Sequence, residues 1–144
     1  MQKIILYTDG GSRGNPGPAA LGVYIETLEK HYGEYLGIKT NNEAEYSAIV
    51  FALKKVKTLL GKQQAKETLV ECRMDSELAC RQLNHVYKIE NVKLQPLFLD
   101  VWNLSLDFHE VRFVHVRREQ NTEADAAANR ALDAKKNNEQ STLL

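Results

Sequence analysis

The chain has 144 residues, 43% of them hydrophobic and 26% charged, with 19 Lys and Arg set against 19 Asp and Glu. That length fits one domain with a sizeable core, and the balanced charge argues against gripping nucleic acid by bulk positive charge, leaving room only for a local basic face. No run approaches the roughly 18 apolar residues of a membrane span, and MQKIILYTDG holds no secretory apolar segment, so a cytoplasmic protein without membrane contact is expected.

Lys3 to Thr8 (KIILYT) is rich in β-branched and aromatic residues and stops at a turn cluster, which predicts a central strand ending just before Asp9. Ala20 to Thr27 and His31 to Gly37 alternate in character around a polar LEK link and predict a hairpin, completing an antiparallel meander. From Asn42 to Leu60, apolar residues recur at spacings of three and four (Tyr46, Ile49, Val50, Leu53, Val56, Leu60). This is the longest helix, with Thr40 or Asn41 as N-cap and Gly61 as C-cap. Leu69 to Met74 (LVECRM) is a strand reached through that helix, so it belongs parallel to and beside the first.

A short helix over Ser76 to Leu83, an amphipathic one over Leu94 to Phe108 carrying Trp102, a fifth strand over Val111 to Val116 and an alanine-rich helix over Glu119 to Ala134 complete the series. The order is β β β α β α α β α. It describes a mixed α/β (α+β) fold with one five-stranded sheet, three strands antiparallel and then parallel ones, and helices packed on both faces. Residues 1–135 form one domain, and the polar tail at 136–144 is expected to be disordered. Cys72 and Cys80 have no histidines at ligand spacing and read as reduced thiols, neither a zinc site nor a disulfide framework.

Among the acids, position singles out four. Asp9 ends the first strand and Asp75 directly follows the fourth; if those strands lie side by side in parallel, both carboxylates emerge at the sheet edge where such folds keep their sites. Glu45 sits in the first turn of the long helix, separated from Glu43 only by motif spacing, and Asp125 sits in the first turns of the last helix, among alanines that permit close backbone packing. Taken singly, each acid also suits a turn, a cap or a first-turn position favoured by the helix dipole. Together, four carboxylates without thiolate or imidazole suit hard cations, two Mg²⁺ ions with Mn²⁺ as a substitute.

The stretches YTDGGSRGNPGP with Asp9, TNNEAE with Glu45, MDS with Asp75 and NTEAD with Asp125 resemble, in order and setting, the motifs of type I ribonuclease H, over nearly the whole chain to about Ala134. The resemblance implies a ribonuclease H-like fold and an endonuclease that cuts the RNA strand of an RNA–DNA hybrid, leaving 5′-phosphate and 3′-hydroxyl ends. It makes Asp9, Glu45, Asp75 and Asp125 catalytic metal ligands. It places the backbone from Gly10, Gly11 and Ser12 to Asn15 against RNA sugars, the amides of Asn15, Asn41 and Asn42 in the minor groove, and Thr40 on a DNA phosphate.

Three departures stand out. Where many bacterial members carry a basic, tryptophan-containing handle, only NHVYKIENVK intervenes, as in short-loop, archaeal-like members. The link VRREQN holds no histidine, so Arg118 is the candidate to stand near the scissile phosphate, and His115 reads as an ordinary sheet residue. Glu77 stands where relatives often have glutamine, which puts a base contact there in doubt. Arg13 reads as facing solvent, a phosphate contact being the alternative. The protein is expected to be a monomer with no obligatory protein partner. The rival readings are a same-fold nuclease acting on double-stranded RNA, a non-catalytic hybrid-binding module, and a detached reverse-transcriptase domain, which the short chain argues against.

Overall fold

The computed structural model describes residues 2–143, with side chains described through residue 139. Strands β1 (Gln2–Ser12), β2 (Gly17–Ile25) and β3 (Lys30–Lys39) form the antiparallel meander; the helix α1 (Asn41–Leu60) and a short α2 (Lys62–Lys66) then lead to β4 (Thr68–Met74). Helices α3 (Glu77–Leu83) and α4 (Gln95–Ser105) precede β5 (Glu110–His115), and α5 (Thr122–Leu143) closes the chain. β4 is parallel to β1 and β5 is parallel to β4, giving one sheet in the order β3-β2-β1-β4-β5. This is the mixed five-stranded architecture that the alternation of patterns implies.

The core lies where Ile4 and Leu6 of β1, Val23 and Ile25 of β2 and Val70 of β4 meet Tyr46, Ile49, Leu53 and Val56 of α1, all of them fully or almost fully buried. The spacing of those α1 residues keeps them on one helical face, and burying them contributes about 1.5–3 kcal/mol per large side chain. Tyr46 is buried with its hydroxyl satisfied, donating to Gln82 Oε1 at 2.7 Å.

Several boundaries differ from the sequence expectations. β1 runs past Thr8 to Ser12. Its parallel ladder with β4 stops at Thr8 opposite Met74, but its ladder with β2 continues from Asp9 opposite Gly22 to Ser12 opposite Ala19. Gly10 and Gly11, which read as part of a turn, therefore lie in a strand paired there on one side only. α2 is too short for periodicity to reveal it. The last helix, expected over Glu119 to Ala134, runs as α5 through Leu143, and Leu144 lies outside the described residues. Extending a helix already anchored by packing needs no new nucleation, and Lys135 and Glu139, one turn apart, pair at 3.8 Å.

Candidate active site

The four acids reach one end of the β1–β4 seam by four separate devices. Asp9 sits one residue beyond the parallel ladder, opposite Gly22 of β2. A methyl group on Gly22 would come within 2.6 Å of the Ala128 amide nitrogen and closer still to the Ala124 carbonyl, and one on Gly33 would strike Ala127. Glycine at these two positions lets α5 lie backbone-on-backbone against the sheet, and this brings Asp125, the residue after Ala124, beside Asp9. The entry to α5 is fixed by Asn121, 1% exposed, whose amide donates to the Thr8 carbonyl at 2.9 Å.

Glu45 is set by the start of α1. Thr40 and Glu43 form a reciprocal capping box: the Glu43 amide donates to Thr40 Oγ1 at 3.2 Å and the Thr40 amide to Glu43 Oε1 at 3.0 Å. That bond holds the Glu43 carboxyl below its usual range. The cap therefore uses Glu43 and leaves Glu45 for the site, the distinction that motif spacing alone had drawn. Gly10 is buried against this turn, since a methyl there would lie 2.5 Å from the Glu45 amide nitrogen. The residue at 10 is thus glycine for helix packing, a reason other than the approach to a sugar. Asp75 follows Met74 directly, and Ser76 caps α3 by accepting from the Ala79 amide at 3.1 Å.

The electrostatics show how closely the acids crowd. Burial, then the charge of Asp75 and a hydrogen bond with Asp125, raise the Asp9 carboxyl from 3.8 to about 8. Burial also raises Glu45 to about 7, opposed by a hydrogen bond from Ser76 and the charge of Arg118. Like charges sharing a half-buried recess cannot all ionise without a counter-charge. Among the described residues no three His, Cys, Asp or Glu side chains already enclose a cation position. The donor set nevertheless fits one: all oxygen, several carboxylates, and two carboxyls, Asp9 and Glu45, raised by burial and by the charge of their neighbours.

Around the acids, the substrate-side residues are tied to one another. Asn41 Oδ1 accepts from the Ser12 amide at 2.8 Å and the Ser12 hydroxyl at 3.0 Å, and Asn15 Oδ1 accepts from the Asn41 amide at 3.1 Å. The β1–β2 turn is thereby bound to the start of α1, beside Thr40 and the half-buried Asn42. Gly11 is open on its Cα side, its nearest neighbour there being Asn41 Oδ1 at 3.8 Å.

Arg118 lies in the 3₁₀ turn Arg118–Gln120, exposed and within electrostatic reach of Glu45. Glu77 is exposed and accepts from Arg81 Nε at 2.9 Å. Arg13 does not simply face solvent: its Nη2 donates to Asp133 at 2.7 Å and approaches Asn129 Oδ1 at 3.5 Å.

Sequence reasoning misses four contributors. Gly22 and Gly33 matter only through the helix that covers them. Asn121 opens the NTEAD stretch, where nothing in the sequence marks it as a tie to β1. His115, which reads from sequence as an ordinary sheet residue, has Nε2 3.3 Å from the Asp75 carbonyl oxygen. An apolar cavity of about 330 Å³ between α3, α4 and β5, lined by His85, Phe98 and Trp102 among others, holds no carboxylate; Asp9, Glu45 and Asp75 line a separate, small recess.

A mixed sheet in this order, with acids at the ends of its central parallel pair and on the two helices that flank it, defines the ribonuclease H-like class. Residues 8–131 match the family model described as reverse transcriptase-like. Ribonuclease HI of Halobacterium salinarum is 35% identical over 91% of this chain and 65% of its own length. The bifunctional protein Rv2228c of Mycobacterium tuberculosis is 34% identical over 92% of this chain and 36% of its own, so the chain spans about a third of that relative. The crystal structure of LC11-RNase H1 in complex with an RNA/DNA hybrid superposes with a TM-score of 0.85 at 40% identity, covering 92% of this chain and 98% of that one. The chain belongs to the type I ribonuclease H family.

Proposed function

We propose that this protein is an endoribonuclease that hydrolyses the RNA strand of RNA–DNA hybrids, leaving 5′-phosphate and 3′-hydroxyl ends, and that it is a short-loop member without a basic handle between α3 and α4. The observation that carries the reading is the convergence of Asp9, Glu45, Asp75 and Asp125 on one end of the β1–β4 seam. The hybrid bound by LC11-RNase H1 supports the choice of substrate.

Asp9, Glu45, Asp75 and Asp125 would hold two Mg²⁺ ions, or Mn²⁺ in their place, which when bound supply activation of the attacking water and neutralisation of the leaving 3′-oxygen. The chain's own residues position. Ser76 orients Glu45 through its hydroxyl, and Asn121 sets the depth at which α5 presents Asp125. Arg118 supplies positive charge beside Glu45 on the phosphate side. The backbone at Gly10, Gly11 and Ser12 and the amides of Asn15, Asn41 and Asn42 line the path of the RNA sugars, where a 2′-hydroxyl separates RNA from DNA. Thr40, at the N-terminus of α1, takes a phosphate of the DNA strand. We place the protein in the cytoplasm as a monomer.

The test is incubation with end-labelled RNA–DNA, RNA–RNA and DNA–DNA duplexes, each with Mg²⁺, Mn²⁺ or EDTA. Cutting confined to the RNA strand of the hybrid, dependent on the ion, is expected. Cutting of a DNA strand, or cutting in EDTA, overturns the reading, and equal cutting of RNA–RNA replaces the substrate.

A further inference from the structure

The turn between β1 and β2 is held rigidly, yet one long cationic side chain leaves it. The Arg13 amide donates to the Pro18 carbonyl at 2.8 Å, closing the turn on itself. A methyl on Gly17 would strike the Arg13 and Gly14 carbonyls, so the backbone has no slack there. The Arg13 guanidinium instead crosses to α5, where it meets Asp133 at 2.7 Å, with the two side chains 43% and 61% exposed.

The residues it meets are not scattered. Asp125, Asn129 and Asp133 recur every fourth residue, so they form one stripe along α5, and Asn129 Nδ2 donates to the Asp125 carbonyl at 3.1 Å. The stripe begins at the acid cluster and ends at Asp133, about 12 Å further along the helix axis. That is the length of three to four nucleotides at a rise of about 3.4 Å each.

We propose that Arg13 is a phosphate-contacting residue for the nucleic-acid strand that passes the acid cluster, and that Asp133 occupies the guanidinium in its place until the strand arrives. This rests on the functional reading above. A solvated ion pair of this kind stabilises the fold by about 0–1 kcal/mol, whereas a guanidinium holds a phosphate through paired, charge-assisted hydrogen bonds. The strand therefore displaces Asp133 at small cost. Once displaced, the Asp133 carboxylate repels the same strand, so the pair tempers affinity as well as guarding the arginine.

A structural staple and an occupied phosphate site differ in sign. The full-length protein, Arg13→Ala, Asp133→Asn and the double variant are titrated by fluorescence anisotropy with a labelled RNA–DNA hybrid in EDTA across a salt series, with thermal midpoints recorded alongside. Arg13→Ala is expected to weaken binding about fivefold and to lower the slope of log affinity against log salt by about one. Asp133→Asn is expected to tighten binding about two- to threefold, and the double variant to recover part of the affinity that Arg13→Ala loses. Weakening by both single variants, or an unmoved salt slope in Arg13→Ala, makes the pair a staple and overturns the inference while leaving the functional reading in place. A wild-type protein that neither binds nor cuts the hybrid overturns the reading itself.

Discussion

Gly22→Ala isolates the contact that brings two of the four acids together. The added methyl lies 2.6 Å from the Ala128 nitrogen and nearer to the Ala124 carbonyl, where ordinary contacts begin at 3.4 Å. Both neighbours are helix backbone and cannot rotate away, so α5 must lift from β2 by about 1 Å. Forced overpacking of this kind costs about 3 kcal/mol. The second consequence is chemical. Asp125 follows the residue that is struck, and Asp9 is the cross-strand partner of Gly22, so the lift opens the distance between the two carboxylates. A misplacement of about 1 Å at a catalytic group costs on the order of 100-fold in rate. Urea denaturation and steady-state cleavage of a hybrid measure the two effects separately. Gly11→Ala serves as the stability control, its nearest neighbour being a side-chain oxygen at 3.8 Å. A Gly22→Ala protein with wild-type stability and wild-type kcat would refute the argument that this glycine sets the Asp9–Asp125 spacing.

Asp9 and Glu45 are raised to about 8 and about 7 in the folded state, against 3.8 and 4.5 unfolded. In EDTA their contribution to stability is therefore fully present below about pH 4 and is lost as pH rises through 8. Asp9→Asn should flatten that loss, unfolding at higher urea than wild type at pH 9 by about 3 kcal/mol and equally at pH 4. The full shift corresponds to about 6 kcal/mol before relaxation. Added Mg²⁺ should raise the wild type at pH 9 and leave Asp9→Asn nearly unmoved, and parallel urea curves for the two proteins at pH 9 would contradict this. Thr40→Ala removes the N-cap of α1 and should cost about 1 kcal/mol, a fall of about 3 °C in Tm, read by calorimetry. Arg118→Ala should lower kcat where Asp125→Asn abolishes it; an unchanged kcat removes Arg118 from the site. Without a handle between α3 and α4, the salt slope of hybrid binding should be shallower than that of a handle-bearing enzyme in the same buffer.

The acids are legible from position together with motif spacing, which alone separates Glu45 from Glu43. Asp9 and Asp75 close apolar runs whose helical connection forces them to be parallel neighbours, and Glu45 and Asp125 open helices with readable caps and alanines. What was not legible is the other half of each contact. Gly22 and Gly33 look like weak points in their strands, because a single sequence does not say which helix lies over which residue. Gly10 looked like part of a turn for the same reason, its role being set by Ala44 and Glu45 far along the chain. The partner of Arg13 is 120 residues away and both groups are exposed, so neither hydropathy nor spacing signals the pair. The far reach of α5 is not legible because a polar continuation carries no periodicity, although a helix anchored upstream tolerates one.

Asp9 and Gly10 are adjacent, yet one answers to α5 through its cross-strand partner Gly22 and the other to the backbone of α1. A single peptide unit in the central strand thus works as a gauge block for the layers above and below it, with no rotamer on either side to absorb error. Dimensional control resides in the middle of the molecule, so the periphery is free of it. The link between α3 and α4 and the far end of α5 can lengthen, shrink or acquire attachments without retuning the carboxylates. This makes the fold a tolerant host for grafted substrate-gripping elements and an intolerant one for any added atom at positions 10, 22 or 33.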